Sequence, residues 1–198
     1  MSKLQGTKTL QNLINAFAGE SQARNRYTYY ASIASKEGYK QIEEIFIDTA
    51  NNEKEHAKLF FKKIAEYIDV TKDALVLPVT GSYPVALGDT LNNLKFAAAG
   101  ENEEWVQLYP KFADDAEAEG FKDIATLFRM VATVEKEHEK KYKKLAENIE
   151  KNQVFKKSTK IRWKCRNCGY IHEGTDALEK CPACQHPKAY FEVYAENY

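Results

Sequence analysis

Two short stretches of nearly identical sequence limit what this chain can fold into more than any other feature. The tetrapeptide Glu-Lys-Glu-His occupies residues 53–56 and again residues 135–138. Residues three apart lie on one face of a helix, so the first Glu and the His of each copy can reach the same point. Both pairs interrupt apolar stripes with a spacing of three to four, which face a protein core. An ionised carboxylate in such a place needs a charged partner, and a metal ion is the strongest one.

Length and charge exclude several classes of protein. The chain has 198 residues, which suits one medium domain or one domain with a small appendage. It carries 29 basic and 29 acidic residues, so no nucleic-acid surface is indicated. It has no apolar run of about 18 residues that would predict a membrane span. The first residues lack the apolar core of a signal peptide, and we therefore expect a cytoplasmic protein.

The distribution of helix formers and breakers predicts a mainly α-helical protein. Four helices are expected, at about 8–37, 40–67, 90–119 and 122–150. Pro110 lies inside the third and is expected to bend it. Residues 68–88 form a connection of roughly twenty residues, longer than a turn between neighbouring helices needs. Such a connection crosses the end of a bundle to reach a non-adjacent helix.

The two halves of the helical region repeat one another. Glu20 matches Glu101 at an offset of 81 residues, and Tyr27 matches Tyr109 at an offset of 82. The difference indicates a one-residue insertion in the second half. Two such helical hairpins joined by a long crossover predict a four-helix bundle with an internal repeat.

The acidic and histidine positions of the four predicted helices form a recognisable ligand set. One Glu from each of two helices and a Glu-x-x-His from each of the other two is the pattern of carboxylate-bridged di-iron bundles. Carboxylates suit oxidised iron and bridge two metals, while imidazole suits ferrous iron. We expect Glu53 and Glu135 to bridge the two ions. The predicted ligands and catalytic residues are Glu20, Glu53, His56, Glu101, Glu104, Glu135 and His138.

The predicted ligand set is not symmetric, because Glu104 corresponds to Ala23 in the first half. An extra carboxylate beside a histidine suggests an exchange of ligands at the first iron, where Glu20 and His56 are expected. His138 is expected to be a permanent ligand beside Glu101, and His56 a switching one.

Three further side chains of the helical region are candidates for supporting roles. Tyr27 and Tyr109 occupy matched positions two turns after a ligand Glu, and their hydroxyls are expected to contact those carboxylates. Arg24 is interpreted as a supporting or surface residue and not as a catalyst.

All four cysteines lie near the C-terminus, in two Cys-x-x-Cys pairs. These are Cys165 with Cys168 and Cys181 with Cys184, a spacing that predicts one tetrahedral metal site. Spacing alone does not separate structural zinc from redox-active iron. The sequences around the cysteines, and the need of a di-iron bundle for an electron source, favour a mononuclear iron site. The expected organisation is a bundle over residues 1–150, a linker over 151–160 and a small knuckle domain over 161–198.

With both metal sites placed, the whole chain closely resembles the rubrerythrins. The resemblance implies a ferritin-like di-iron bundle followed by a rubredoxin-like β domain. It further implies reduction of hydrogen peroxide to water, with electrons entering through the rubredoxin-type iron. In this family the reductant is NAD(P)H, acting through rubredoxin or a linked reductase, and the chains form at least homodimers. The resemblance also implies that His56 replaces Glu104 on one iron upon reduction.

Three other functions are compatible with parts of the sequence. Ferritin-like bundles also act as ferroxidases in iron storage, although storage has little use for a four-cysteine electron port. A zinc-ribbon interaction module on a structural bundle is a non-enzymatic alternative. An oxygenase acting on an organic substrate is a third, but no separate substrate-binding element is visible in the sequence.

Overall fold

The computed structural model describes residues 3–197 and confirms the mainly helical architecture. The first hairpin pairs α1 with α2, and the second pairs α3 and α4 with α5. A long crossover between the hairpins completes a four-helix bundle, as predicted. The helices are α1 (Lys8–Lys36), α2 (Lys40–Tyr67), α3 (Thr90–Glu103), α4 (Tyr109–Ala118) and α5 (Lys122–Glu150).

Each of the repeated Glu-Gly-aromatic turns joins the helices of its own hairpin and contacts the other hairpin. The glycine of each turn has a positive φ, +84° in the first and +88° in the second, which a residue without a Cβ adopts at little cost. The Glu37 carboxylate accepts a hydrogen bond from the Thr90 backbone N–H at 2.9 Å, where α3 begins. Glu119 accepts one from the Thr9 N–H at 2.8 Å, where α1 begins. Each turn therefore caps the first helix of the other hairpin.

The crossover runs along the outer side of α1. Asn15 exchanges hydrogen bonds with Thr80, accepting from the Thr80 N–H at 2.9 Å. The Tyr83 hydroxyl donates to the Asn15 carbonyl at 2.8 Å. Farther along, the Tyr30 hydroxyl donates to the Ala86 carbonyl at 2.8 Å. These contacts attach an irregular segment to a rigid helix, so it covers that face of the bundle.

The third helix is not continuous from 90 to 119, which corrects the sequence prediction. A π-helical segment, Glu104–Leu108, separates α3 from α4. A π-helical turn holds one more residue than an α-helical turn. The offset between the two halves changes from 81 to 82 across this segment, so the π-helix is the predicted one-residue insertion. Pro110 follows it at the start of α4, where a missing backbone N–H is well tolerated.

Two apolar clusters fill the bundle, and the predicted ligands lie between them. One cluster contains Phe60 and Phe128, and the other contains Tyr30 and Phe46. Burying a large apolar side chain contributes about 1.5–3 kcal/mol, so both clusters stabilise the helix packing. Along α1, α2, α3 and α5 the ligand position falls where one cluster ends and the other begins. The metal ligands thus form a polar layer across the middle of the bundle.

The C-terminal region forms the small β domain that the sequence predicted. Its antiparallel sheet has the order β2-β1-β3, built from β1 (Lys156–Cys165), β2 (Ile171–Asp176) and β3 (Phe191–Val193). Trp163 is fully buried, and its indole N–H donates to the Gly174 carbonyl at 3.0 Å. Strand β1 begins at Lys156, inside the predicted linker 151–160, because Lys156 pairs with Asp176. Within residues 3–197, no helix has the length and hydropathy of a membrane span.

Candidate metal centres

The structure brings six of the seven predicted bundle ligands into two overlapping groups. In each group the potential ligand atoms lie within 4.8 Å of one another. Both groups contain Glu53 and Glu135, the two carboxylates that were predicted to bridge. The groups are Glu20, Glu53, His56 and Glu135, and Glu53, Glu101, Glu135 and His138.

The histidines face the carboxylates in a way that a proton alone explains poorly. The Nδ1 atom of His56 lies 2.9 Å from an oxygen of Glu53 and 2.9 Å from an oxygen of Glu135. The Nδ1 atom of His138 lies 2.8 Å from the other Glu135 oxygen and 3.2 Å from the other Glu53 oxygen. One nitrogen carries at most one proton, so it cannot donate well to two carboxylates. A cation between these atoms satisfies all of them at once.

Buried oxygens without hydrogen-bond partners make the same case for metal. Apart from the imidazole nitrogens described above, both carboxylate oxygens of Glu135 lack a hydrogen-bond partner, as does one oxygen each of Glu20, Glu53 and Glu101, and all of them are buried. Leaving a charged group buried and unpaired is strongly unfavourable. The donor set of carboxylates and imidazoles is the one that iron prefers in ferritin-like bundles. The residues therefore fit two metal ions.

Protons stand in for the metal charge in this cluster. Burial alone lowers the pKa of both histidines, but hydrogen bonds that the imidazoles donate to the surrounding carboxylates raise the pKa of His56 to about 10 and that of His138 to about 12. Burial raises the pKa of Glu101 to about 8. Burial also opposes ionisation of Glu53, but hydrogen bonds from the two histidines lower its pKa to about 2. Without metal, the cluster thus pairs two protonated imidazoles with the ionised Glu53 and keeps Glu101 mostly neutral at pH 7.

Each tyrosine contacts the carboxylate of the opposite half. The Tyr27 hydroxyl donates to Glu101 at 2.5 Å, and the Tyr109 hydroxyl donates to Glu20. The sequence predicted contacts with carboxylates but did not indicate that they cross between the halves. Both phenols are buried, and burial raises the pKa of each well above its usual value, so both remain protonated donors.

Asn52 was not identified from the sequence, although it orients a ligand. Its Oδ1 atom lies 3.3 Å from the Nε2 atom of His138, a geometry in which Nε2–H donates and Nδ1 is left free for metal. The equivalent residue in the other half is Val134, and within residues 3–197 no such partner reaches the Nε2 atom of His56. The repeat itself provides the signal, since Asn52 precedes the first Glu-x-x-His while an apolar residue precedes the second.

Glu104 and Arg24 lie apart from the two ligand groups. Glu104 is partly buried at the start of the π-helix, and it belongs to neither group of potential ligands. Burial and the nearby Glu101 raise its pKa well above the usual value. The structure therefore places His56, and not Glu104, with Glu20. Arg24 is exposed and is a surface residue.

The four cysteines form a second metal-binding group. Their sulfur atoms lie within 4.8 Å of one another, with 3.6 Å between Cys165 and Cys184 and 3.7 Å between Cys168 and Cys181. A tetrahedron with metal–sulfur bonds of about 2.3 Å has edges of about 3.8 Å, so the sulfurs are spaced for one metal ion. They are too far apart for disulfides.

Within each knuckle the first cysteine is buried and the second is more exposed to solvent. Cys165 and Cys181 are buried, whereas Cys168 is exposed and Cys184 is partly exposed. A hydrogen bond from the His186 backbone N–H is the largest cause that lowers the pKa of Cys184, to about 6. Ligation requires thiolates, so this backbone donor favours metal binding. The exposed cysteine places one edge of the site at the surface.

Comparisons with known families match both parts of the chain. The family model described as "Rubrerythrin" matches residues 11–165. The model described as "Rubrerythrin, rubredoxin-like domain" matches residues 163–192. Together they cover the helical bundle and the four cysteines.

Individual relatives extend over the full length of the chain. It is 59% identical over 198 residues to rubrerythrin-1 of Clostridium acetobutylicum, covering 100% of both chains, and 55% identical over 199 residues to a rubrerythrin of Clostridium perfringens, again covering 100% of both. Among solved structures, a fully reduced, all-ferrous nigerythrin has 32% identity and a TM-score of 0.62, with 96% of this chain and 91% of that chain covered.

A bacterioferritin from Desulfovibrio desulfuricans shares the fold, with a TM-score of 0.64 at 19% identity, over 74% of this chain and 82% of that chain.

The chain has a di-iron carboxylate–histidine site in a ferritin-like bundle and a rubredoxin-like four-cysteine iron site, and it belongs to the rubrerythrin family.

Proposed function

We propose that this protein is a non-haem di-iron peroxidase that reduces hydrogen peroxide to water. Electrons would pass from the rubredoxin-like iron to the di-iron site, and the protein would protect its cell against oxidative stress. Each cycle consumes one peroxide, two protons and two electrons and releases two water molecules. Membership of the rubrerythrin family supports an iron-dependent oxidoreductase.

The observation that carries the proposal is the combination of two metal sites in one chain. The bundle site has two ligand groups that share Glu53 and Glu135, so two ions would lie close enough to act on one small molecule. The cysteine site has one exposed ligand, Cys168, through which electrons can enter. A storage protein needs the first site but has no use for the second.

The side chains of the bundle would hold and orient the ligands during the reaction. Iron bound there supplies the two electrons. The hydrogen bond from Asn52 keeps His138 in one tautomer, which supports its role as a permanent ligand. His56 lacks such an anchor and is free to exchange with Glu104. Tyr27 and Tyr109 fix the terminal carboxylates, and we expect carboxyl groups and water at the site to deliver the protons.

Partners and location complete the proposal. Reducing equivalents would come from NAD(P)H through rubredoxin or a linked reductase, and the chain would act in the cytoplasm as a homo-oligomer. In a dimer the rubredoxin-like domain of one copy could approach the di-iron site of the other. Residues 151–155 are the part of the predicted linker 151–160 that precedes β1. We expect this short segment to allow such an arrangement.

The main competing function is that of a ferroxidase in iron storage. One experiment separates the two. Iron is counted per chain, the protein is reduced without oxygen, and reoxidation is followed after one equivalent of hydrogen peroxide or an equal amount of dioxygen is added. We expect three irons per chain and reoxidation by peroxide at least about tenfold faster than by dioxygen, because a peroxidase accelerates the reaction of its own substrate.

Two outcomes would reject the peroxidase. The first is retention of far more than three irons per chain with dioxygen as the preferred oxidant. The second is zinc at the cysteines, with no ferric-thiolate absorption, after growth in controlled iron. That second outcome would favour the structural interaction module.

A further inference from the structure

A buried arginine beside the di-iron site has no role in the function described so far. Arg26 lies on α1 and is 8% exposed, and its Nε atom has no hydrogen-bond partner. Its Nη1 atom donates to the Pro84 carbonyl of the crossover at 3.3 Å. Its guanidinium lies against Gly100, where an added Cβ would be 3.5 Å from the Nη2 atom. Within residues 3–197 no ion pair neutralises it, so its charge is available to a nearby anion.

The guanidinium shares a cavity with Glu104. The cavity has a volume of about 360 Å³ and lies between α1, the π-helix and the crossover segment that contains Tyr83. Both Arg26 and Glu104 line it, together with Tyr109. The cavity therefore has a guanidinium without an ion-pair partner among residues 3–197 and a carboxylate in its wall.

The internal repeat gives an independent reason to connect these two residues. Glu104 has Ala23 as its counterpart in the first half, and Arg26 has Leu108 as its counterpart in the second. Neither of these two charges therefore has a charged counterpart in the other half. The fold brings these two unmatched and opposite charges to the same cavity.

The geometry points to Arg26 as the positioning residue for Glu104. The guanidinium makes no ion pair with Glu104, but its charge across the cavity favours the position of the carboxylate at the cavity wall whenever Glu104 is not a ligand. The Pro84 carbonyl keeps the guanidinium at the cavity wall, so the crossover takes part in the placement. This inference rests on the proposed exchange of Glu104 with His56, and it supplies the place to which Glu104 moves.

The test is a double-mutant cycle on the iron-loaded, full-length protein. Arg26→Gln removes the positive charge, and Arg26→Lys keeps the charge but replaces the guanidinium by an ammonium group. Arg24→Gln is the matched control, because it removes an exposed charge from the same helix. Each substitution is made in two backgrounds, one with the native Glu104 and one that also carries Glu104→Gln. The readouts are iron per chain and the midpoint potential of the di-iron site, followed with Mössbauer spectra, without peroxide.

In the Glu104 background, Arg26→Gln is expected to keep all irons and lower the midpoint potential. Without its partner in the cavity, Glu104 stays on the iron, where a carboxylate stabilises the ferric state. A tenfold change in the redox equilibrium is expected, which is about 59 mV for a one-electron step. Arg26→Lys should shift it by less than half as much, and Arg24→Gln should leave it unchanged.

In the Glu104→Gln background, the shift caused by Arg26→Gln should fall below about a third of its first value, because the residue through which it acts is gone. An equal shift in both backgrounds would overturn the inference, as would no shift with Glu104 present. If Arg26→Gln does not fold or bind iron, the same cycle with Arg26→Lys decides the question. If instead the proposed peroxidase function is wrong, peroxide would not reoxidise the reduced wild-type protein. The shift in midpoint potential caused by Arg26→Gln would still differ between the two backgrounds.

Discussion

The Tyr109 hydroxyl donates a hydrogen bond to Glu20, a residue 89 positions earlier in the chain and in the other hairpin. The reverse contact, from Tyr27 to Glu101, spans 74 positions. Each half of the bundle therefore fixes a terminal carboxylate of the other half. A defect in either hairpin is expected to disturb both metal positions.

Replacing one of these tyrosines tests this exchange of contacts. Tyr109→Phe removes the donor to Glu20 and keeps the ring, which packs on Phe60 and Phe128. Loss of a partner that orients a ligand costs about 10–100-fold in metal affinity. We expect iron to leave the bundle to a chelator about tenfold faster in this variant. The cysteine iron should be unaffected.

A control for that experiment is Tyr29→Phe, because the Tyr29 side chain is 59% exposed on the same bundle. It should lose iron at the wild-type rate. Equal rates of loss from Tyr109→Phe and wild type would show that the hydrogen bond does not secure Glu20.

The pH dependence of stability should differ between metal-free and iron-loaded protein. The folded state raises the pKa of His56 from 6.5 to about 10 and that of His138 to about 12. Stability from these protons is fully present below pH 6.5 and is lost as the pH rises through the folded values. Glu101, raised from 4.5 to about 8, acts in the same direction between those values. Glu53, lowered to about 2, has its full effect above pH 4.5.

Metal-free protein should therefore have a lower melting temperature at pH 9 than at pH 6. Iron competes with the same protons for the ligands, so the stabilisation by iron should grow over this range. Calorimetry of both forms at the two pH values, in matched salt, measures the difference. A metal-free form that is equally stable at both pH values would contradict the assignment of these charges.

The proposed electron relay can be separated from the peroxide reaction by one substitution. Cys168→Ser removes the exposed ligand of the cysteine site and leaves the bundle unchanged. Chemically reduced protein should still react once with peroxide at the wild-type rate. Continuous turnover with a rubredoxin-dependent donor should fall to background, because electrons no longer reach the bundle. Ser158→Ala, at an exposed position of β1, is the control, and normal turnover by Cys168→Ser would disprove the relay.

The π-helix and Pro110 are expected to depend on one another. Deleting the half-exposed Val106 removes the extra residue and would make the third helix continuous. Pro110 would then lie in a helix interior, which costs about 3 kcal/mol. Urea unfolding of the metal-free protein measures this loss. Adding Pro110→Ala to the deletion should recover most of it, and a deletion variant with wild-type stability would contradict the explanation.

The parts of this site that follow a helical period could be predicted from the sequence. The spacing in Glu53–His56 and Glu135–His138 fixes which side chains share a face, and the repeat fixes how the helices pair. The grouping of the four cysteines could be predicted equally well, since the spacing of the two pairs indicates one tetrahedral metal site. The position of the π-helix had a signal in the changed offset, but its conformation did not.

Other features depend on contacts between distant segments and were not predictable. Asn52 and Arg26 look like ordinary polar residues of a helix until the fold places Asn52 beside His138 and Arg26 in the cavity that Glu104 also lines. The exchange of tyrosine contacts between halves likewise depends on how the hairpins are packed. The start of β1 at Lys156 required its pairing with Asp176, which lies beyond the first knuckle.

The crossover between α2 and α3 has a consequence for how such a site could arise. Two separate, identical hairpins would pair about a two-fold axis, and every change in one would appear in the other. A carboxylate added at position 104 would then be added at position 23 as well, and an anchor for one histidine would anchor both. Once a duplicated gene encodes both hairpins in one chain, each copy can diverge alone. The crossover thus allows two iron positions of common origin to acquire different roles.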